Sequence, residues 1–330
     1  MMVLEFLGEE EESLFPHNRD YGEGIRERGI REGQATVVVA LDGSGDAESV
    51  QEGIKMLPST GGVVYVKNGV YEISDTITFG KANVTLFGTG RATQIKLKVA
   101  LADNSSLIDM QTNSYVTVES VYINGNNLGT STDGIRIGNA TGCIVRNCYV
   151  ENCTDIGIIA NAVTTSDIFT LITGNIIKDC EHGILLLNSS KCVVSGNHSY
   201  SNNGIGIAVQ NSGSTNPNSV IVSNNVCALN GNTAGDHGIL LTECDNCIIE
   251  GNVCIGNLDN GIFIQAHPVT AATCNQNIVA NNNCTGNDDG IVIDTNCSRT
   301  LVHGNMLYTN TTANLTNNGA TTTLADNVTA

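Results

Sequence analysis

The sequence predicts an all-β solenoid built from one chain wound into parallel coils. Three observations predict it. A Gly-Ile phrase returns seven times past residue 130. A second phrase, an aliphatic residue three before an Asn, follows it in each unit. No segment between them shows a helical period. The phrase glycines are Gly134, Gly157, Gly183, Gly206, Gly238, Gly261 and Gly290, with steps of 23, 26, 23, 32, 23 and 29. Units this short cannot bury an apolar face alone, so they must stack, and β-branched runs make parallel strands the economical stack.

Composition agrees. Of 330 residues, 41% are hydrophobic and 15% charged, which excludes wholesale disorder. The net charge is −18, and past residue 100 only Arg136, Arg146, Lys178, Lys191 and Arg299 are basic. A nucleic-acid groove or an anionic membrane surface is therefore a poor partner. No apolar run is long enough for a membrane span. The opening MMVLEFLGEEEESLF lacks a basic start and a sufficient apolar stretch, so a cytoplasmic or virion-associated protein is expected.

The elements follow in order. Residues 1–33 hold thirteen charges and read as a polar arm. Residues 34–330 form the solenoid, with regular coils over about 63–330. It opens with Thr36–Leu41, a capping amphipathic helix near 46–57, a Pro58–Gly62 break, and strands at Val63–Val66 and Asn83–Phe87. The helix serves as a lid, because a solenoid exposes its core at each end. Each coil adds about 4.8 Å, so equivalent residues stack. The residue after each phrase glycine is always Ile, and Ile137, Ala160, Leu186, Val209, Leu241, Ile264 and Ile293 share its inward side. The second phrase runs Ile144/Asn147, Ile172/Asn175, Val194/Asn197, Val222/Asn225, Ile249/Asn252, Val279/Asn282, Val302/Asn305 and Leu324/Asn327. Its amides are placed to pair with coils above and below. Segments 211–219 and 267–277 are loops that lengthen a turn.

All twelve cysteines lie between Cys143 and Cys297, inside the repeat. Cys227, Cys254 and Cys284 stand two after a ladder Asn; Cys244, Cys274 and Cys297 stand eight before one. That phasing predicts stacked, reduced, buried thiols rather than a metal site.

The opening "VVVALDGSGDAESVQEGIKMLP…GGVVYVKNGVYEIS…NVTLFGTG", together with the Gly-Ile/Asn repeats, resembles the pectin-lyase-like superfamily over roughly residues 36–330. The resemblance implies a single-stranded right-handed parallel β-helix. It implies no single activity, since the superfamily holds lyases, hydrolases, epimerases, tailspikes and non-catalytic fibres.

Three readings of the outward polar residues compete. Thr132-Asp133-Gly, Thr154-Asp155-Ile-Gly and Glu181-His182-Gly resemble the successive motifs of polygalacturonase-type glycoside hydrolases. Carried over by position, Asp133 and Asp155 act as acid and base and His182 orients or binds sugar, with Arg136, Lys178 and Glu181 as substrate contacts. Ile156 stands where the family has a second paired Asp, Ser131 replaces its Asn, and no Arg-Ile-Lys follows. Inverting hydrolysis needs carboxyls about 6.5–9.5 Å apart, a span neighbouring coils can offer. Asp236, Asp259, Asp288 and Asp289 form a second acidic group on later coils that would suit Ca²⁺ and a Ca-dependent polysaccharide lyase. No other cofactor is expected. Pectin methylesterase activity is excluded, because its Gln-Asp-Thr and Leu-Gly-Arg-Pro-Trp signatures are missing and the chain has no Trp.

The third reading is structural. Two after each phrase glycine stand Arg136, Ile159, Leu185, Ala208, Leu240, Phe263 and Val292, an apolar outward stripe. Such a stripe demands cover by another chain, a loop or the tail at 309–330. A homotrimer, as in tailspike-like proteins, is the expected cover. The leading function is polysaccharide binding or cleavage; the rival is a non-catalytic fibre or virion protein.

Overall fold

In the computed structural model, residues 35–163, 168–212, 217–266 and 274–329 are described; the polar arm at 1–33 lies outside them. The chain forms a right-handed parallel β-solenoid of about 10 turns with one short helix. Each regular coil contributes three strands to three parallel sheets. Sheet 1 stacks Ile144–Arg146, Leu171–Thr173, Val193–Ser195 and their successors to Thr323–Ala325. Sheet 2 stacks Tyr149–Glu151, Ile176–Lys178, His198–Tyr200 and onward to Val328–Thr329. Toward the N-terminus both are continued by Thr117–Asn124, which pairs with the long strand Val84–Leu97. Sheet 3 has ten strands, from Ile77–Thr78 to Ala313–Asn317.

Helix α1, Val50–Met56, is shorter than the span expected from sequence. Ser49 caps it by accepting from Glu52 N–H at 3.3 Å, and Leu57 ends it in extended backbone. Val50 and Ile54 are buried over the first coil, as a lid requires. Gly53 lets it approach that closely: a Cβ there would lie 2.5 Å from the Val39 side chain.

The interior is neutral. Val145, Ile172, Val194, Val222, Ile249, Val279 and Val302 form one fully buried ladder, and the phrase isoleucines form another. All twelve cysteines are free and buried. Cys227, Cys254 and Cys284 stack in direct register, as do Cys274 and Cys297. Burial pushes the Cys227 and Cys284 thiols up, and Cys148 up to about 12.

The Asn ladder between sheets 1 and 2 runs Asn175, Asn197, Asn225, Asn252, Asn282, Asn305 and Asn327. Each Nδ2 from Asn175 to Asn305 donates to the next Oδ1 at 2.8–3.0 Å. Asn147 is not a member, contrary to the sequence phase. Register aligns Leu171 with Ile144, so the position of Asn175 is held by Cys148, whose N–H donates to Asn175 Oδ1 at 2.9 Å. Asn147 instead occupies the left-handed turn position (φ 55°), equivalent to Gly174 and Gly196. A second ladder, absent from the sequence reading, lines the turn between sheets 2 and 3: Asn202, Asn230, Asn257, Asn287 and Asn310.

The outward stripe stacks in the expected register, from Arg136 through Ile159, Leu185, Ala208, Leu240 and Phe263 to Val292. Its expected exposure is overturned at four apolar members, while Leu185 and Phe263 are half-buried. Ile159, Ala208, Leu240 and Val292 are only 3–9% exposed within a single chain. Ile205 of the flanking column packs with Ala208 and Leu240, and the His237 ring meets Phe263 edge-on at 4.9 Å. Stacking and a neighbouring column provide the cover. The tail at 309–330 does not fold back over it; it supplies the last strands of all three sheets.

Candidate functional site

The turn from sheet 2 into sheet 3 places polar side chains in two columns. Asp133, Ile156, His182, Ile205, His237, Asn260 and Asp289 share one, as fixed by the strand register. Asp155, Glu181, Asp236, Asp259 and Asp288 precede members of that column by one residue and form the other. The sequence-predicted trio is therefore split. Asp133 and His182 lie two coils apart with Ile156 between them, and Asp155 stands beside them in the second column.

Asp133 is 1% exposed. Its Oδ2 accepts from Arg136 Nε at 3.0 Å and Nη2 at 2.6 Å, and its Oδ1 accepts from Ile156 N–H at 3.2 Å. Burial pushes its carboxyl above the ordinary 3.8; Arg136 opposes this and the charge of Asp155 adds to it. Asp155 is half-buried and its Oδ2 accepts from Ser131 Oγ at 2.7 Å. His182 Nδ1 accepts from Ile205 N–H at 2.9 Å, which fixes the ring, and Glu181 receives Asn203 Nδ2 at 3.4 Å. Lys178 closes a sheet 2 strand and pairs with Asp179 at 2.6 Å and Glu151 at 3.3 Å, not with the Asp133–Asp155 group.

Beside Arg136 the outer face of sheet 3 opens into a groove of about 230 Å³, lined by Asp109, Gln111, Arg136, Asn139, Asn161 and Val163. Its floor follows from register: Asp109 is the partner of Arg136 in the preceding coil, so the apolar stripe ends in a polar pair. Sequence reasoning missed this lining, because Asp109 and Gln111 precede the first Gly-Ile phrase.

Of the later acids, Asp236 serves its own turn and Asp259 and Asp288 tie neighbouring coils together. Asp236 Oδ2 accepts from Thr233 N–H and Oγ1, both at 2.9 Å. Asp259 Oδ2 accepts from Gly235 N–H at 2.8 Å, and Asp288 Oδ1 accepts from Thr311 and Thr312 hydroxyls. Asp289 Oδ1 is buried without a partner. Among the described residues no three His, Cys, Asp or Glu converge as a metal-binding group. No helix among them is long and apolar enough to cross a membrane.

Two family models match the sequence: a right handed beta helix region over residues 60–219, and NosD, a periplasmic copper-binding protein, over residues 169–330. The copper belongs to the description of that family; the described residues bring no three His, Cys, Asp or Glu together that would hold it. No curated protein matches the chain. Among solved structures, ORF18 of Geobacillus virus E2 shares 16% identity at TM-score 0.62, covering 94% of this chain and 65% of its own. The Dettilon tailspike protein shares 14% at TM-score 0.68, covering 89% of this chain and 62% of its own. The A-module of the Azotobacter vinelandii mannuronan C-5 epimerase AlgE4 shares 14% at TM-score 0.60, with 82% and 89% covered. The chain thus spans just under two thirds of the Geobacillus virus E2 and Dettilon tailspike proteins. Repeats, register, ladders and these matches agree: the chain is a pectin-lyase-like right-handed parallel β-helix.

Proposed function

We propose that the chain binds polysaccharide along the outer face of sheet 3. The groove beside Arg136 carries the reading: carboxylate, amide and guanidinium groups on a flat strand face suit the hydroxyls of a sugar chain. The tailspike and epimerase likenesses support the same class of ligand. Affinity electrophoresis against a panel of acidic and neutral polysaccharides tests it. Binding by the wild type, weakened by Arg136→Ala, supports the groove; no retardation by any glycan refutes the reading.

Cleavage is the second reading, favoured by the raised carboxyl of Asp133 next to Asp155. In it Asp133 is the acid, Asp155 the base, and His182 positions sugar. Arg136 would have to release Asp133 Oδ2 for proton transfer, so substrate in the groove would draw the guanidinium away. Assays for reducing ends and for unsaturated products would detect hydrolysis and elimination respectively. Asp155→Asn abolishes hydrolysis with little change in thermal unfolding if Asp155 is the base; retained activity moves the site. Assembly as a homotrimer belongs to the same tailspike-like reading. The half-exposed aliphatic column Ile144, Leu171, Val193, Ile221, Ile248, Ile278 and Leu301 on sheet 1 offers a surface. A light-scattering mass near 34.6 kDa would rule out the trimer.

A further inference from the structure

The outer face of sheet 2 carries a cluster that the groove on sheet 3 does not use. Register places Tyr122 and Tyr149 next to each other in one outward column, followed by Ile176 and His198. It places Lys96, Asn124, Glu151, Lys178 and Tyr200 in the next. Five coils from Lys96 to Tyr200 span roughly 19 Å along the axis.

The two rings meet edge-to-face, with centroids 5.2 Å apart. The guanidinium of Arg91, which is exposed, lies 4.3 Å from the Tyr149 ring centroid and 5.8 Å from that of Tyr122. Among the described residues Arg91 has no hydrogen-bond or ion-pair partner, so its planar donors face solvent from a fixed ring platform. Glu151 below it is 9% exposed and already well satisfied. Tyr122 Oη donates to its Oε1, Asn152 Nδ2 donates at 3.3 Å, and Lys178 Nζ lies 3.3 Å from Oε2. Asn124 Nδ2 donates to Tyr122 Oη at 2.9 Å. Burial first, and Glu151 next, push both phenols up to about 12, so they remain protonated donors at neutral pH. The Glu151 charge is thereby held by its own donors, and Arg91 and, in the first coil of the cluster, Lys96 are the cations without an ion-pair partner among the described residues; of the two only Arg91 sits over the rings.

We propose that this face of sheet 2 is a second glycan site, specific for a uronate sugar, in which Arg91 takes the sugar carboxylate side-on over the Tyr149–Tyr122 platform. An oriented guanidinium matches a carboxylate with two parallel N–H···O bonds. Tyr200, whose hydroxyl has no hydrogen-bond partner among the described residues, stands two coils beyond Tyr149 and faces the ring hydroxyls of the next sugars. The inference rests on the polysaccharide reading and names the sugar class that this second surface selects.

The test is calorimetric titration of the full chain with a galacturonate hexamer, a mannuronate hexamer and a neutral glucan hexamer. Wild type, Arg91→Ala, Arg91→Lys and Arg136→Ala are compared, each checked for unchanged thermal unfolding. At least one acidic hexamer is expected to bind more tightly than the glucan. Arg91→Ala should weaken that binding about tenfold or more, with Arg91→Lys intermediate because it keeps charge but not the fork. Arg136→Ala should leave this component intact. Equal binding of acidic and neutral hexamers overturns the uronate site while the polysaccharide reading survives. So does acidic binding that Arg136→Ala removes and Arg91→Ala does not. Binding of none of the three by the wild type overturns the uronate site, and the electrophoresis panel then decides separately whether any polysaccharide is bound.

Discussion

Removing one amide from the middle of the first Asn ladder should destabilise the solenoid far more than removing one at its end. Asn225 is fully buried. Its Oδ1 accepts from Asn197 N–H at 2.9 Å and Asn197 Nδ2 at 3.0 Å. Its Nδ2 donates to Val194 O at 2.9 Å and Asn252 Oδ1 at 3.0 Å. In Asn225→Ala, Asn197 Nδ2 keeps Ile172 O and Asn252 Oδ1 keeps the backbone N–H of residue 225. The Asn197 N–H has no such reserve and stays buried without an acceptor. One such orphan costs about 1–3 kcal/mol, and the lost bonds and small void bring the total to about 3–5 kcal/mol. Asn327 makes comparable bonds but is half-exposed, so water replaces them and Asn327→Ala should cost about 1 kcal/mol. Asn225→Asp keeps the shape yet sets an acceptor against Val194 O, so it should be no better than alanine. Urea unfolding followed by circular dichroism compares the three, with midpoint and slope read separately because repeat arrays can lose cooperativity. A midpoint shift for Asn225→Ala no larger than that for Asn327→Ala would refute the reasoning.

Two further outcomes follow from buried groups. A thiol reagent should count twelve free cysteines in denaturant without reductant and almost none in the native chain, since all twelve are free and buried; fewer than half free would contradict the stacked-thiol reading. His237 is buried against Phe263, and desolvation lowers its pKa below the ordinary 6.5, with Asp259 and Asp236 opposing. Its folded pKa is depressed, so the stability tied to the neutral ring is fully present above about pH 6.5 and is lost as pH falls. Unfolding free energy should therefore decline on acidification by at most about 1.4 kcal/mol per pH unit from this group, lowering the unfolding temperature, and His237→Gln should flatten the decline. An unchanged profile in that variant would place the pH dependence elsewhere.

The solenoid was legible because its interior obeys one rule at every coil. Gly-Ile phrases and ladder asparagines are forced by stacking, so they repeat in sequence as they repeat in space. The second ladder was equally periodic, with Asn202, Asn230, Asn257, Asn287 and Asn310 each five after a first-ladder Asn. The error at Asn147 has a physical origin: the turn needs a left-handed residue next to the ladder position, and Asn satisfies both roles. Surface sites obey no such rule. Arg91, Tyr122, Tyr149 and Lys178 meet only because strands of different length return in register, and nothing local in the sequence announces that. The cover of the apolar stripe was hidden for the same reason. It comes from Ile205 and His237 in the flanking column, whose inclination toward the stripe depends on side-chain packing rather than on period.

A chain of net charge −18 that binds an acidic glycan faces an opposing field, and the geometry at Arg91 determines how salt acts on it. A basic groove loses affinity steeply with salt, because every phosphate or carboxylate contact releases counterions. Here the long-range term is repulsive and the attractive term is one oriented guanidinium. At about 0.15 M ionic strength charges more than roughly 8 Å apart are largely screened. Raising salt from a low value toward that level should suppress the repulsion from the distant acids. The bidentate contact over Tyr149 is short and partly shielded by the rings, so it should weaken less. Uronate affinity should consequently be flat or rise slightly over that interval, then fall at higher salt as the contact itself is screened. Titration of the acidic hexamers across the same salt series measures this directly. A steep monotonic loss of affinity from the lowest salt would mean that further cations of the same face, Lys96 or Lys178, share the ligand, and would refute a site that rests on the one guanidinium of Arg91.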